Sequence, residues 1–211
     1  MQLILGTRRY SSWSMRGWLA AKMASMEFDE VVIPIADGIT EAIKPLSPSG
    51  LVPALVTEGQ VIWDSLAIAE YCAELSPELW PQNRLERAVA RSIAAEMHAG
   101  FPALRRALPM NLGRMALKRE LSTEVNADIS RIERIWGDSL TKSAGPYLFG
   151  ASPTIPDIMF APVVSRFLTY DVTLNSISTA YCGSIRAWDL VALWYELAAK
   201  EPASWHLAKY E

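Results

Sequence analysis

The pattern of this chain changes once, at Ser76-Pro77-Glu78-Leu79-Trp80-Pro81-Gln82-Asn83, and that change limits the possible folds more than any other feature. Two prolines in five positions cannot sit inside one helix or one central strand, so the stretch reads as a semi-stiff connection. Ahead of it strands and helices alternate. Behind it the periodic segments are all helical. The chain is therefore expected to hold an α/β unit over 1–76, a linker over 77–83 and an all-α unit over 84–211.

Within the first unit, Gln2 to Leu5 reads as a strand and Ser12 to Ser25 as an amphipathic helix. Phe28 to Ile35 is β-branched and apolar, hence a strand, with Pro34 suited to its end. Asp37 to Lys44 is a short, weak helical segment. Leu51 to Val56 and Gln60 to Trp63 read as two strands joined by Glu58-Gly59, a hairpin signal, and Asp64 to Leu75 as a strong helix. The order β-α-β-α-β-β-α implies a parallel pair built by a right-handed crossover, extended by an antiparallel hairpin. In the second unit Arg84 to Leu108, Ser122 to Lys142, Thr154 to Tyr170 and Ser184 to Lys200 carry helical periodicity. Thr154-Ile155-Pro156-Asp157 has the capping-box spacing, with Pro153 and Ile158 at the staple positions, and reads as a folding signal.

Three short motifs carry chemistry. Tyr10-Ser11-Ser12-Trp13-Ser14-Met15-Arg16 places three hydroxyls where a helix exposes unpaired backbone N–H groups, a terminus that stabilises an anion such as a thiolate. The same serines would also make an ordinary cap. In Ser49-Gly50-Leu51-Val52-Pro53, a proline opening an apolar strand fits a cis Val52-Pro53 bond. That turn would aim the Val52 backbone outward to pair with an extended peptide. In Trp63-Asp64-Ser65-Leu66, between a strand and a helix, Ser65 would offer its hydroxyl and N–H to a carboxylate and Asp64 would face an ammonium. An amino-acid head group carries both charges on one carbon.

Composition narrows the function classes. A net charge of −3 over 211 residues argues against a nucleic-acid surface. No apolar run is long enough for a membrane span. The chain enters strand-like sequence with no leader pattern, and its two cysteines, Cys72 and Cys182, are far apart. A reducing cytoplasm is the expected setting. With no Cys/His ligand spacing, no metal is expected.

The three motifs in this order, followed by a helical half, resemble the glutathione S-transferase superfamily over nearly the whole chain. Tyr-Ser-Ser-Trp-Ser-x-Arg is most similar to zeta-like bacterial members of the serine type. The resemblance implies a thioredoxin-like domain followed by a helical domain, with glutathione as co-substrate. It implies a thiol activated by a serine hydroxyl: Ser11, or Ser12 if the loop register slips by one, with Ser14 too far round the helix. Val52, Pro53, Asp64 and Ser65 would hold glutathione. Trp13, Met97, Phe101 and Met110 would line the electrophile pocket between the domains; His98 shares the helix of Met97, and Arg105 and Arg106 could meet an anionic substrate or face solvent. A homodimer is implied as well. Leu51 stands where many members carry a polar or basic residue, and the loop lacks the cysteine usual in the zeta class. The implied activity is transfer of the glutathione sulfur to a hydrophobic electrophile. The alternatives are a glutathione-dependent isomerase at the same site or a non-catalytic ligand-binding protein.

Overall fold

In the computed structural model, which describes residues 1–115 and 117–210, the first unit is built on a four-stranded sheet of order β2-β1-β3-β4. Strand β1 (Gln2–Gly6) pairs in parallel with β2 (Asp29–Ile33) and antiparallel with β3 (Ala54–Thr57), which pairs antiparallel with β4 (Gln60–Ile62). β1 lies inside the sheet and its Leu3, Ile4 and Leu5 are buried, as its unbroken apolar run requires. Glu58 and Gly59 both have positive φ (49° and 76°), the backbone that a two-residue hairpin turn demands.

Helix α1 (Ser12–Met23) crosses over between β1 and β2, and α2 (Ser65–Leu75) follows β4 and packs against α1. Gly17 sets the closeness of α1 to the start of β3: a Cβ there would lie 2.9 Å from the Pro53 ring. The Val52-Pro53 bond is cis, as the sequence suggested. β3 begins at Ala54, three residues later than the apolar run, because Leu51 to Pro53 form the loop into it. Of the weak segment 37–44 only a 3-10 turn, Glu41–Ile43, is helical.

The second unit is helical: α3 (Arg84–Ala99), α4 (Pro102–Ala107), α5 (Thr123–Leu140), α6 (Ile155–Thr169), α7 (Ser176–Ala187) and α8 (Asp189–Ala199). Helix α6 is its axis, packed against α3, α7 and α1 and buried along nearly its whole length. Trp136 of α5 meets Phe160, Phe167 and Tyr181 at ring-centroid distances of 4.8–5.6 Å. Two long helices expected from periodicity are each broken. The segment 84–108 divides because Pro102 cannot continue α3. Phe101 turns through a left-handed backbone (φ 61°), and Arg105 donates to the carbonyls of Gly100 (2.9 Å) and Met97 at the α3 terminus. The segment 184–200 starts earlier, at Ser176, and turns at Trp188, so that α7 packs on α5 and α6 while α8 reaches α1.

Candidate active site

The start of α1 carries three serines whose hydrogen bonds differ. Ser11 is the cap: its Oγ accepts from Ser14 N (3.2 Å) and its hydroxyl donates to Ser14 Oγ (2.8 Å). Ser14 Oγ also accepts from Gly6 N (2.9 Å), tying the helix start to the end of β1. Ser14 is fully buried and serves this joint. Ser12 Oγ instead accepts from the guanidinium of Arg166 on α6 (3.1 Å).

At the start of α2 the Asp64 carboxylate caps the helix through Oδ1, which accepts from Leu66 N (3.0 Å) and Ala67 N (3.4 Å). Its other oxygen, Oδ2, lies 3.0 Å from His98 Nε2 on α3, a contact that crosses between the two units. Ser65 is fully buried and its hydroxyl has no hydrogen-bond partner among the described residues. A buried hydroxyl left without a hydrogen bond is costly.

These groups share one cleft of about 1080 Å³. Ser11, Ser12, Val52, Pro53, Asp64 and Ser65 line it, so the structure brings the three sequence motifs together. Of the expected electrophile-side residues, Trp13 and Met110 line it as well. Met97 and Phe101 do not: both are buried in the hydrophobic core, because the face of α3 that carries Met97 packs inward and the turn after Gly100 carries Phe101 with it. Arg106 is likewise not part of the lining, whereas Arg105 and His98 are.

The lining also includes residues that no sequence motif flagged. Arg166 reaches the cleft from α6, and Leu207, Lys209 and Tyr210 reach it from the C-terminal segment. That segment is tied down at several points. Glu201 accepts from the backbone N–H of Arg8 (2.7 Å) and Arg9 (3.2 Å), Leu207 N donates to the Tyr10 hydroxyl (3.2 Å), and Lys209 pairs with Asp37. Contacts spanning 150 residues or more have no local sequence signature.

Electrostatically the inner wall is cationic. Arg16, Arg105 and Arg166 gather around Trp13 and Ser12. The guanidinium carbons of Arg16 and Arg105 lie 4.6 and 4.9 Å from the Trp13 ring centroid. Burial, reinforced by Arg105, brings Arg166 down to about 10, and burial with the same cationic neighbours lowers Arg16 well below its ordinary value. Burial also lowers Arg105. Both cysteines are elsewhere, buried and unpaired, with their thiols pushed up to about 12 by burial. Among the described residues no cluster of His, Cys, Asp or Glu could hold a metal ion, and no helix is long and apolar enough to cross a membrane.

A thioredoxin-like sheet unit joined to a helical unit, with a cleft between them lined by three helix-start and strand-start motifs, defines the class of this protein. Residues 10–75 match the family profile described as glutathione S-transferase, N-terminal domain, and residues 86–197 match glutathione S-transferase, C-terminal domain. The chain belongs to the glutathione S-transferase family. It is 27% identical over 179 residues to a probable maleylacetoacetate isomerase of Caenorhabditis elegans, covering 82% of this chain and 81% of that protein. It is 27% identical over 201 residues to a maleylpyruvate isomerase of Ralstonia, covering 89% and 94%. Among solved structures, a bacterial zeta-class maleyl pyruvate isomerase superposes with a TM-score of 0.72 at 22% identity, covering 96% and 99% of the two chains. A glutathione transferase homologue from Burkholderia with bound glutathione superposes at 0.70 and 21% identity, covering 95% and 98%.

Proposed function

We propose that this chain is a glutathione-dependent enzyme whose bound thiolate adds to a small, carboxylate-bearing unsaturated substrate. The observation that carries the reading is the unpartnered, fully buried Ser65 hydroxyl, set in the cleft beside Asp64 at the start of α2. The γ-glutamyl carboxylate of glutathione takes the Ser65 hydroxyl and the Ser65 backbone N–H, and its ammonium faces Asp64. The Val52 backbone pairs with the peptide of glutathione, and the cysteinyl sulfur meets one serine hydroxyl at the start of α1, Ser11 or Ser12. A free thiol with a pKa near 8.5 is only about 3% ionised at pH 7. A hydrogen bond to the charged form contributes about 1.5–3 kcal/mol, or about 1–2 pKa units, enough to ionise half or more of it.

The cleft is apolar along Trp13, Pro109 and Met110 but cationic along Arg105 and Arg166. A cationic wall suits an anionic electrophile, a different class from the hydrophobic electrophile that the resemblance implied. The relatives named as isomerases of maleyl compounds support the same class. On such a substrate the sulfur–carbon bond forms as the alkene π pair moves onto the conjugated carbonyl. Rotation about the resulting single bond follows. Return of that pair re-forms the alkene in the trans geometry and expels the thiolate, so glutathione is not consumed. No cysteine of the chain is needed in these steps, so its absence from the serine loop does not weigh against isomerisation.

The second reading, sulfur transfer to a hydrophobic electrophile, is favoured by the Trp13–Met110 wall. One assay separates the two: a maleyl-type cis acid incubated with enzyme and glutathione. Appearance of the trans acid with glutathione recovered supports isomerisation. Stoichiometric loss of glutathione with a stable conjugate supports transfer, and neither outcome, with glutathione still bound, leaves a ligand-binding protein. The reading also includes a homodimer, for which the exposed apolar Leu51, Trp63, Leu85 and Val89 supply candidate contacts, and a cytoplasmic setting, consistent with two unpaired cysteines.

A further inference from the structure

The two serines that open α1 are adjacent in sequence, yet their hydroxyl protons are in different situations. A serine hydroxyl has one proton to donate and two lone pairs to accept with. Ser11 spends its proton on Ser14 Oγ and a lone pair on Ser14 N, both inside the cap. Ser12 accepts from the Arg166 guanidinium at 3.1 Å, and among the described residues none accepts its proton. Arg166 is itself fixed: it is buried within α6 and a second guanidinium nitrogen donates to Leu108 O. We propose that Ser12, oriented and polarised by Arg166, is the hydroxyl that bonds the glutathione thiolate, and that Ser11 is the helix cap.

The inference rests on the glutathione reading above and adds Arg166 to it as a positioning residue. The guanidinium occupies one of the two lone pairs of Ser12 and so restricts how the hydroxyl turns, while its proton is left for the sulfur. A donor bonded to a cation is also a stronger donor, since each bond in the chain polarises the next. In the step itself the thiol gives its proton to solvent water, the sulfur keeps the electron pair, and Ser12 keeps its own proton while sharing it with the sulfur. Arg166 retains its charge at neutral pH, with its lowered value still near 10.

The test is an ultraviolet titration of the thiolate of bound glutathione, with affinity measured alongside by calorimetry. Ser12→Ala is expected to raise the thiol pKa by about one unit or more. Ser12→Thr, which keeps the hydroxyl, is expected to restore most of the shift. Arg166→Gln is expected to raise it by a smaller amount, and the double variant with Ser12→Ala to match Ser12→Ala alone, because Arg166 acts through that hydroxyl. A merely structural role for Arg166 would not give that non-additivity. Ser11→Ala is expected to lower the melting temperature by about 2–4 °C through loss of the cap while leaving the thiol pKa in place. An unchanged thiol pKa in Ser12→Ala, or a large rise in Ser11→Ala instead, overturns the assignment alone. Failure of glutathione to bind the unmodified protein overturns the glutathione reading and this assignment with it.

Discussion

The start of α6 and the start of α2 are built from the same materials, a hydroxyl and an aspartate at a helix N-terminus, and they end in opposite states. At α6 the Asp157 carboxylate is closed off. Oδ2 accepts from Thr154 N (2.9 Å) and Thr154 Oγ1 (3.0 Å), and Oδ1 accepts from Leu148 N (3.1 Å) and Tyr181 (2.9 Å), all in the core. At α2 Asp64 is half exposed and lies on the cleft, and the Ser65 hydroxyl bonds none of the described residues. The difference separates a cap that serves folding from a terminus left ready for a ligand. What distinguishes them is whether the hydrogen-bonding capacity is used up by the protein, and sequence spacing does not report that.

The comparison can be broken most forcefully at Asp157. Asp157→Ala strands several buried donors at once and is expected to cost on the order of 3 kcal/mol or more, read as a shift of the urea midpoint. A cost below 1 kcal/mol would mean that α6 does not depend on its closed cap. Asp64→Ala should act the other way round. It removes an exposed cap, costing about 0.5–2 kcal/mol of stability, but lowers glutathione affinity tenfold or more in calorimetry. Equal losses at both helix starts in both assays would erase the distinction.

The smallest expected effect concerns the thiols of the chain itself. Cys72 and Cys182 lie at neither helix start and burial holds both up to about 12. Native protein at pH 8 should therefore resist alkylation over times that fully label the denatured chain, leaving glutathione as the source of reactive sulfur. The linkage has a definite sign. A folded-state pKa raised above the ordinary thiol value contributes stability that is intact below about pH 8.5 and lost as the pH climbs towards 12. A urea midpoint that rises over that alkaline range would contradict it.

Much of this architecture is legible in the sequence because it is locally encoded. Glu58-Gly59 supplies the positive-φ turn, Pro53 the strand start, and Thr154-x-x-Asp157 the closed cap. The double proline near residue 80 marks where strands give way to helices. What escaped was set by tertiary packing. Helical periodicity runs through Pro102 and Trp188, yet the chain turns at both, and at Trp188 the turn lets α8 reach α1. Periodicity puts Met97 on an apolar face of α3 without saying whether that face meets the core or the cleft, and it meets the core. Arg166 lies 154 residues from Ser12 and inside a nearly uniform buried helix, where its only distinguishing mark in sequence is a charge among apolar neighbours.

The measurement that tests the central claim most directly is glutathione titration into Ser65→Ala, with thermal stability recorded on the same samples. Because the Ser65 hydroxyl has no partner among the described residues, its removal should leave the melting temperature unchanged or slightly raised. Affinity for glutathione should fall tenfold or more through loss of the carboxylate contact. Unchanged affinity, or a clear fall in stability, would contradict the account: Ser65 would then be an ordinary part of the fold and the start of α2 no more a ligand site than the start of α6.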